Sequence, residues 1–246
     1  MKKAVLLVNF SGAFQAQGFV PQLREEGAEV VLADASGIEG TGCYCSLEAQ
    51  ARLDALLPAQ LPPLRWLDSG DYHYMSQLLA LREKEPFHLL LLDHHPDNQE
   101  PAFGAEVLSC GGWVKTLREK QPLLKSVLAI GPEENEEEEP VQKPVEAPEA
   151  RLQAWLAERE GERVYVSLDK DIMDRRWART DWSQGTYSLE RVMGLLRQVM
   201  ESGVAVAAVD ICGEMAPAKG ATPEDQRVNR ETNLELYKTI NELIYN

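Results

Sequence analysis

The run Phe87–Leu92 constrains this chain more than any other stretch. Only His88 in it is polar, and four leucines follow one another. Such a run, apolar on both alternating faces, reads as an interior strand of a parallel sheet covered by helices. It stops abruptly at Asp93-His94-His95-Pro96-Asp97. Alternate residues of an extended chain project to the same side, so Asp93, His95 and Asp97 converge while His94 points away. Charge gathered at the end of a buried strand needs an opposite charge to neutralise it. A metal ion meets that need.

The rest of the chain repeats the theme. Strand-like runs at 5–9, 29–32, 65–67, 88–93, 126–130, 163–168 and 204–210 alternate with amphipathic stretches at 14–25, 47–57, 75–83, 112–118, 149–160, 189–201 and 223–243. This alternation predicts an α/β fold, a three-layer α-β-α arrangement around a mostly parallel sheet. The segment 131–148 breaks the pattern, with Pro140, Pro144 and Pro148 among a run of glutamates. Its low hydrophobicity and self-repulsion predict a solvated loop inserted in a single domain spanning 1–246. No G-x-G-x-x-G or P-loop follows the first strand, which speaks against a nucleotide-binding doubly wound fold.

The net charge is −15, with 40 acidic and 25 basic residues. Nucleic acid and anionic membrane are disfavoured as partners, because both require a basic footprint. A cationic small-molecule substrate suits the balance. The cysteines, Cys43, Cys45, Cys110 and Cys212, form no C-x-x-C pair. Few cysteines and a large core fit a reducing cytoplasm. The start reads as a first buried strand rather than a signal peptide, and no apolar run approaches the ~20 residues of a membrane span. Cys43 and Cys45 read as structural, and Cys110 as a small residue able to line a pocket.

A second acidic group closes another buried strand: Asp169 and Asp171, two residues apart, share a face, and Asp174 reads as a cap for the turn beyond. Two further strands are followed by Gly70 and His73, and by Asp210 and Glu214. Parallel strands present their carboxyl ends on one edge, where α/β proteins bind ligands, so these groups meet there. Asp93, Asp97, Asp169 and Asp171 bring four negative charges that two divalent cations cancel. Oxygen-rich donors with two imidazoles suit Mn²⁺; a single Zn²⁺ held by Asp, His and Asp is the competing option. Paired ions lower the pKa of a bridging water.

In this order, these residues resemble the arginase and agmatinase family of ureohydrolases, whose fold is shared with histone-deacetylase-like amidohydrolases. The family's D-x-H-x-D patch matches Asp93, His95 and Asp97. Its S-x-D-x-D-x-x-D patch matches Ser167, Asp169, Asp171 and Asp174, and its G-D-H patch matches Gly70, Asp71 and His73 with Tyr72 inserted. The resemblance implies two Mn²⁺ sites, one of His73, Asp93, Asp97 and Asp169, the other of His95, Asp93, Asp169 and Asp171. It also implies a homo-oligomer and a late glutamate, Glu214, that grips a cationic substrate at the rim. The asparagine and histidine that the family carries after its D-x-H-x-D patch are missing: residues 108–113 read Leu-Ser-Cys-Gly-Gly-Trp. This marks a divergent arginase-like branch.

The leading expectation is a metal-dependent hydrolase in which hydroxide activated by two Mn²⁺ attacks a C–N bond of a guanidino, amidino or amide compound. Asp171 and Glu214 take the catalytic roles, and Glu214 and Cys110 contact the substrate. Two alternatives stay open: a mononuclear Zn²⁺ or Fe²⁺ deacetylase-like amidohydrolase, and a non-catalytic metal-binding protein of the same fold.

Overall fold

Successive residues of the central strands are buried in two different cores, which is why so few polar residues interrupt them. Val164, Val166 and Leu168 enter one apolar cluster and Tyr165 the other; Leu90 and Leu92 part from Leu89 and Leu91 in the same way. A sheet buried on both faces must be sandwiched between helices. Each fully buried leucine contributes roughly 1.5–3 kcal/mol relative to exposure.

The computed structural model describes residues 3–104, 106–131 and 147–245. In chain order it runs β1 (Ala4–Asn9), α1 (Ala13–Gln17), α2 (Phe19–Glu25), β2 (Glu29–Asp34), β3 (Tyr44–Cys45), α3 (Leu47–Leu56), β4 (Leu64–Trp66) and α4 (Met75–Ala80). It continues with β5 (Phe87–Leu92), β6 (Leu108–Ser109), α5 (Trp113–Lys120), β7 (Leu124–Ile130), α6 (Pro148–Ala157), β8 (Arg163–Asp169), α7 (Leu189–Glu201), β9 (Ala205–Cys212) and α8 (Pro223–Tyr245). Seven strands form the main sheet in the order β2-β1-β4-β9-β8-β5-β7. Every pairing in it is parallel. Residues of α1, α2, α6, α7 and α8 fill one core, and residues of α3, α4 and α5 the other. The expected three-layer α/β architecture is found.

Two local features depart from expectation. The helix expected over 14–25 is split at Gly18, whose left-handed backbone (φ 67°) ends α1 and starts α2. Tyr44 and Cys45, outside the predicted strand runs, form with β6 a two-stranded antiparallel ribbon apart from the main sheet. The helix α7 is as expected: Ser188 caps it by accepting from Arg191 N, and Leu189, Val192, Leu195, Leu196 and Val199 make its buried stripe. The expected insertion at 131–148 lies outside the described residues except at its ends. β7 before it and β8 after it join the same sheet. No helix among the described residues is long and apolar enough to cross a membrane.

Candidate metal centre

Four adjacent strands of the sheet, β4, β9, β8 and β5, direct their carboxyl ends to one edge. Beyond β4, Gly70–Tyr72 forms a single 3-10 turn in which Ser69 Oγ accepts from Asp71 N, and His73 follows at once. The inserted Tyr72 is thus part of this turn, and its ring stacks on Phe10 at 3.9 Å. His73 Nδ1 lies 3.3 Å from Asp93 Oδ2, 3.0 Å from Asp97 Oδ2 and 3.5 Å from Asp169 Oδ2. His95 Nδ1 lies 2.9 Å from Asp171 Oδ2 and 3.6 Å from Asp93 Oδ1.

Donor atoms therefore gather in two overlapping groups. His73, Asp93 and Asp169 offer one set and Asp93, His95 and Asp171 another, with the atoms of each set within 4.8 Å of one another. Asp93 is common to both. Asp97 adjoins the first through His73. Asp169 joins the first group, and its Oδ1 accepts from Asp171 N at 2.9 Å.

The surrounding chain fixes these side chains. His95 N donates to Asp93 Oδ1 at 2.7 Å and His94 N to Asp171 Oδ1 at 3.1 Å. Trp113 Nε1 donates to Asp97 Oδ2 at 2.6 Å, and Asp97 itself sits in the left-handed region (φ 45°), uncommon for a non-glycine residue. His73 Nε2 meets Ser167 Oγ at 2.9 Å, and His95 Nε2 meets Ser183 Oγ at 2.9 Å, which turns both Nδ1 atoms toward the carboxylates. Gly213 (φ 91°) lets the end of β9 pass under the site. A Cβ there would stand 2.3 Å from Asp169 Oδ1.

Four buried carboxylates so close cannot all ionise without compensation. Desolvation, reinforced by Asp93, lifts Asp97 to about 7 and Asp169 to about 6. Asp171 is raised well above its ordinary value by desolvation and by Asp169. Burial opposes the imidazolium of His73, yet Asp93 and Asp97 outweigh it and its pKa is raised well above the usual histidine value. Hydrogen bonds to Asp171 and Asp93 push His95 up to about 11. Desolvation works to raise Asp93, but His73 and His95 overcome it and hold its carboxyl below the usual range. Protons here occupy the place of cations. Asp93 Oδ2, fully buried, has the His73 imidazole at 3.3 Å but no well-aligned hydrogen bond, which leaves it able to meet a cation.

A cavity of about 230 Å³ opens above the two groups. Its walls include Cys43, Tyr44, Gln99, Ser109, Cys110 and Trp182. Cys110 is where the sequence placed it. Cys43, read as structural, also lines the cavity. Burial pushes up the Cys43 thiol, and that of Cys110 further. Gln99, Ser109, Trp182 and Ser183 were not singled out from sequence; only the position of Trp182 and Ser183 in a loop after the Asp169–Asp171 patch hinted at them.

Glu214 requires a correction. It is 1% exposed, does not line the cavity, and forms an ion pair with Lys170 Nζ at 2.5 Å. Gln17 Nε2 and Asn233 Nδ2 also donate to it, at 2.6 and 2.8 Å. Lys170 points away from its neighbours Asp169 and Asp171 and neutralises Glu214 inside the protein, so the carboxylate is not at a rim. Asp68 is structural, accepting from Phe10 N, Ser11 N and Ser69 N. Asp71 anchors the Trp182 wall from behind, accepting from Trp182 Nε1 at 3.0 Å and from Lys219 Nζ at 2.6 Å. His94 does not line the cavity, and its ring stands edge-on to His95 at 5.1 Å. Asp174 caps its turn by accepting from Arg176 N.

The parallel sheet between two helical layers, with an acidic and histidine-bearing cluster at its carboxyl edge, has the arginase-like α/β fold. The solved structures agree. Proclavaminate amidino hydrolase from Streptomyces clavuligerus superposes with a TM-score of 0.61 at 15% identity, covering 98% of this chain and 92% of that one. Arginase from Bacillus cereus gives 0.60 at 13% identity over 100% and 99%. The agmatine ureohydrolase of Thermoplasma volcanium gives 0.59 at 14% over 99% and 91%. At such identities the likeness is one of fold. An uncharacterized protein of Thermotoga maritima is 29% identical over 224 residues, 91% of this chain and 85% of the relative. No family model matches the chain.

Proposed function

We propose that this chain is a two-metal hydrolase of the ureohydrolase type, acting on a C–N bond of a guanidino, amidino or amide compound. The observation that carries this reading is the pair of donor groups joined at Asp93. The first site takes His73, Asp93, Asp97 and Asp169, and the second takes His95, Asp93 and Asp171. Carboxylates and imidazoles without thiolate favour Mn²⁺ over softer ions. The nearby Cys43 and Cys110 thiols, whose pKa values burial raises, stay protonated and outside both groups.

Ions held by these residues would supply Lewis acidity that makes a water nucleophilic near neutral pH. The residues do the rest. Ser167 and Ser183 hold the two imidazoles in orientation. Asp171, bound to His95 and to the backbone of His94, stands beside the cavity as the acceptor for a proton of the attacking water. Gln99 and Ser109 offer neutral hydrogen bonds to the scissile group from the wall. The fold of the arginase, agmatine ureohydrolase and amidino hydrolase structures supports this chemistry.

Elemental analysis after Mn²⁺ reconstitution tests it, with urea and ammonia release followed over a panel of guanidines, amidines and amides. Two ions per chain and turnover are expected, both lost in Asp93→Ala. Fewer than one ion per chain would overturn the two-metal assignment.

A further inference from the structure

The cavity joins two regions of opposite chemistry. Its floor is the donor cluster of histidines and aspartates. Its walls, among the described residues, hold no carboxylate, ammonium or guanidinium: they are Cys43, Tyr44, Gln99, Ser109, Cys110 and Trp182, with glycines between. Among the described residues, the carboxylates behind Trp182 and Gly70 are already engaged. Asp71 binds Lys219 and the Trp182 indole, and Asp181 accepts from Ser69 Oγ and Ala216 N. Meanwhile three of the six large hydrophobic residues exposed among the described residues gather here: Tyr44, Phe103 and Trp182. Tyr44 and Phe103 meet edge to face at 4.8 Å.

Trp182 is built into place. Its Nε1 is tied to Asp71, and its ring lies 6.0 Å from His95 in an edge contact. Its Cδ1 rests so close over Gly70 that a Cβ there would stand 2.8 Å away. A rigid aromatic wall beside a polar floor selects a ligand with the same division.

We propose that the substrate carries its guanidino, amidino or amide head on a neutral aromatic tail, which lies against Trp182 and Tyr44. This rests on the reading of the floor as a C–N hydrolysing centre. A tail bearing an α-amino acid or a terminal ammonium would lose its hydration here and, among the described wall residues, meet no oppositely charged side chain in return.

The probe is benzylguanidine, compared with arginine and agmatine on the Mn²⁺-loaded full chain. Its kcat/KM exceeds theirs by about tenfold or more, and Trp182→Ala removes about tenfold through KM while bound Mn²⁺ stays constant. Tyr44→Ala, at an exposed position, shifts KM in the same direction and guards against misfolding of the first variant. Better turnover of arginine or agmatine, or a KM unmoved by both variants, overturns the proposal. Calorimetric binding separates the two readings. If no compound is hydrolysed, the hydrolase assignment fails. The tail assignment then still stands if benzylguanidine binds more tightly than agmatine and Trp182→Ala weakens it; equal binding, or none, overturns it.

Discussion

Trp113 Nε1 donates a 2.6 Å hydrogen bond to Asp97 Oδ2, the same oxygen that lies 3.0 Å from His73 Nδ1. A fully buried indole thereby aims a carboxylate at a histidine on another strand's loop, and holds it in a strained left-handed turn.

Trp113→Phe keeps most of the ring and removes the donor. The loss of such an orienting partner weakens metal binding by about 10–100-fold. Titration with Mn²⁺, read by bound metal, checks this, and circular dichroism confirms the fold. Unchanged affinity for both ions would show that Asp97 needs no such guide.

The pH dependence of the metal-free protein follows from the raised pKa values. His95, at about 11 against an ordinary 6.5, contributes stability in full below pH 6.5 and loses it as pH rises toward 11. Asp97 at about 7 and Asp169 at about 6, raised from 3.8, act in the same direction: their protonated forms favour the fold, and this is lost as pH climbs through those values. Asp93, lowered from 3.8, opposes them only in more acidic solution. The melting temperature without metal therefore falls between about pH 6 and about pH 9. Mn²⁺ needs deprotonated ligands, so its stabilisation grows over the same interval. At a hundredfold excess over Kd it reaches about 2.7 kcal/mol, or roughly 5–10 °C. Thermal melts with and without Mn²⁺ measure both slopes; a metal-free melting temperature that rises with pH would contradict them.

Gly213→Ala tests the close approach of β9. The new methyl would stand 2.3 Å from Asp169 Oδ1 and 2.8 Å from Lys170 N, on a backbone at φ 91°. Displacement of Asp169 and backbone strain of about 1–3 kcal/mol are expected, seen as a lower melting temperature together with loss of one of the two ions. Wild-type metal content in this variant would mean that Asp169 does not define the first group.

Lys170 and Glu214 test the correction to the sequence reading. Lys170→Met strands a buried carboxylate and costs about 3–5 kcal/mol. Glu214→Gln lowers stability and leaves KM within about twofold, because the group touches no ligand. Steady-state kinetics beside thermal melts separate the two effects. A large rise in KM for Glu214→Gln at unchanged stability would return Glu214 to the substrate site.

The sheet and the donor residues were legible because they follow short-range rules. Strand periodicity placed Asp93 and Asp169 at strand ends, and parallel pairing brought those ends to one edge. Glu214 was misplaced because its environment is set by residues remote in sequence: Gln17, 197 positions away, and Lys170, 44 away. An acid after a strand looks the same whether it faces solvent or a buried ammonium. Trp182 and Ser183 escaped notice for a similar reason. Their loop has no period, and their position depends on Asp71, Gly70 and His95, which reach them only through the fold. The ribbon of β3 and β6 consists of two residues from each strand, too short for alternation to announce it.

That ribbon divides labour within the molecule. The donor cluster hangs from the main sheet, whereas Tyr44 and Ser109, facing partners on the ribbon, belong to two surface excursions that the sheet does not need for its own pairing. The side of the cavity wall formed by Tyr44 and Ser109 is thus separable from the donor cluster, whereas Trp182 stands on the loop after β8, against His95. Changes in these short excursions would reshape one side of the cavity without disturbing the strands that hold the donor residues.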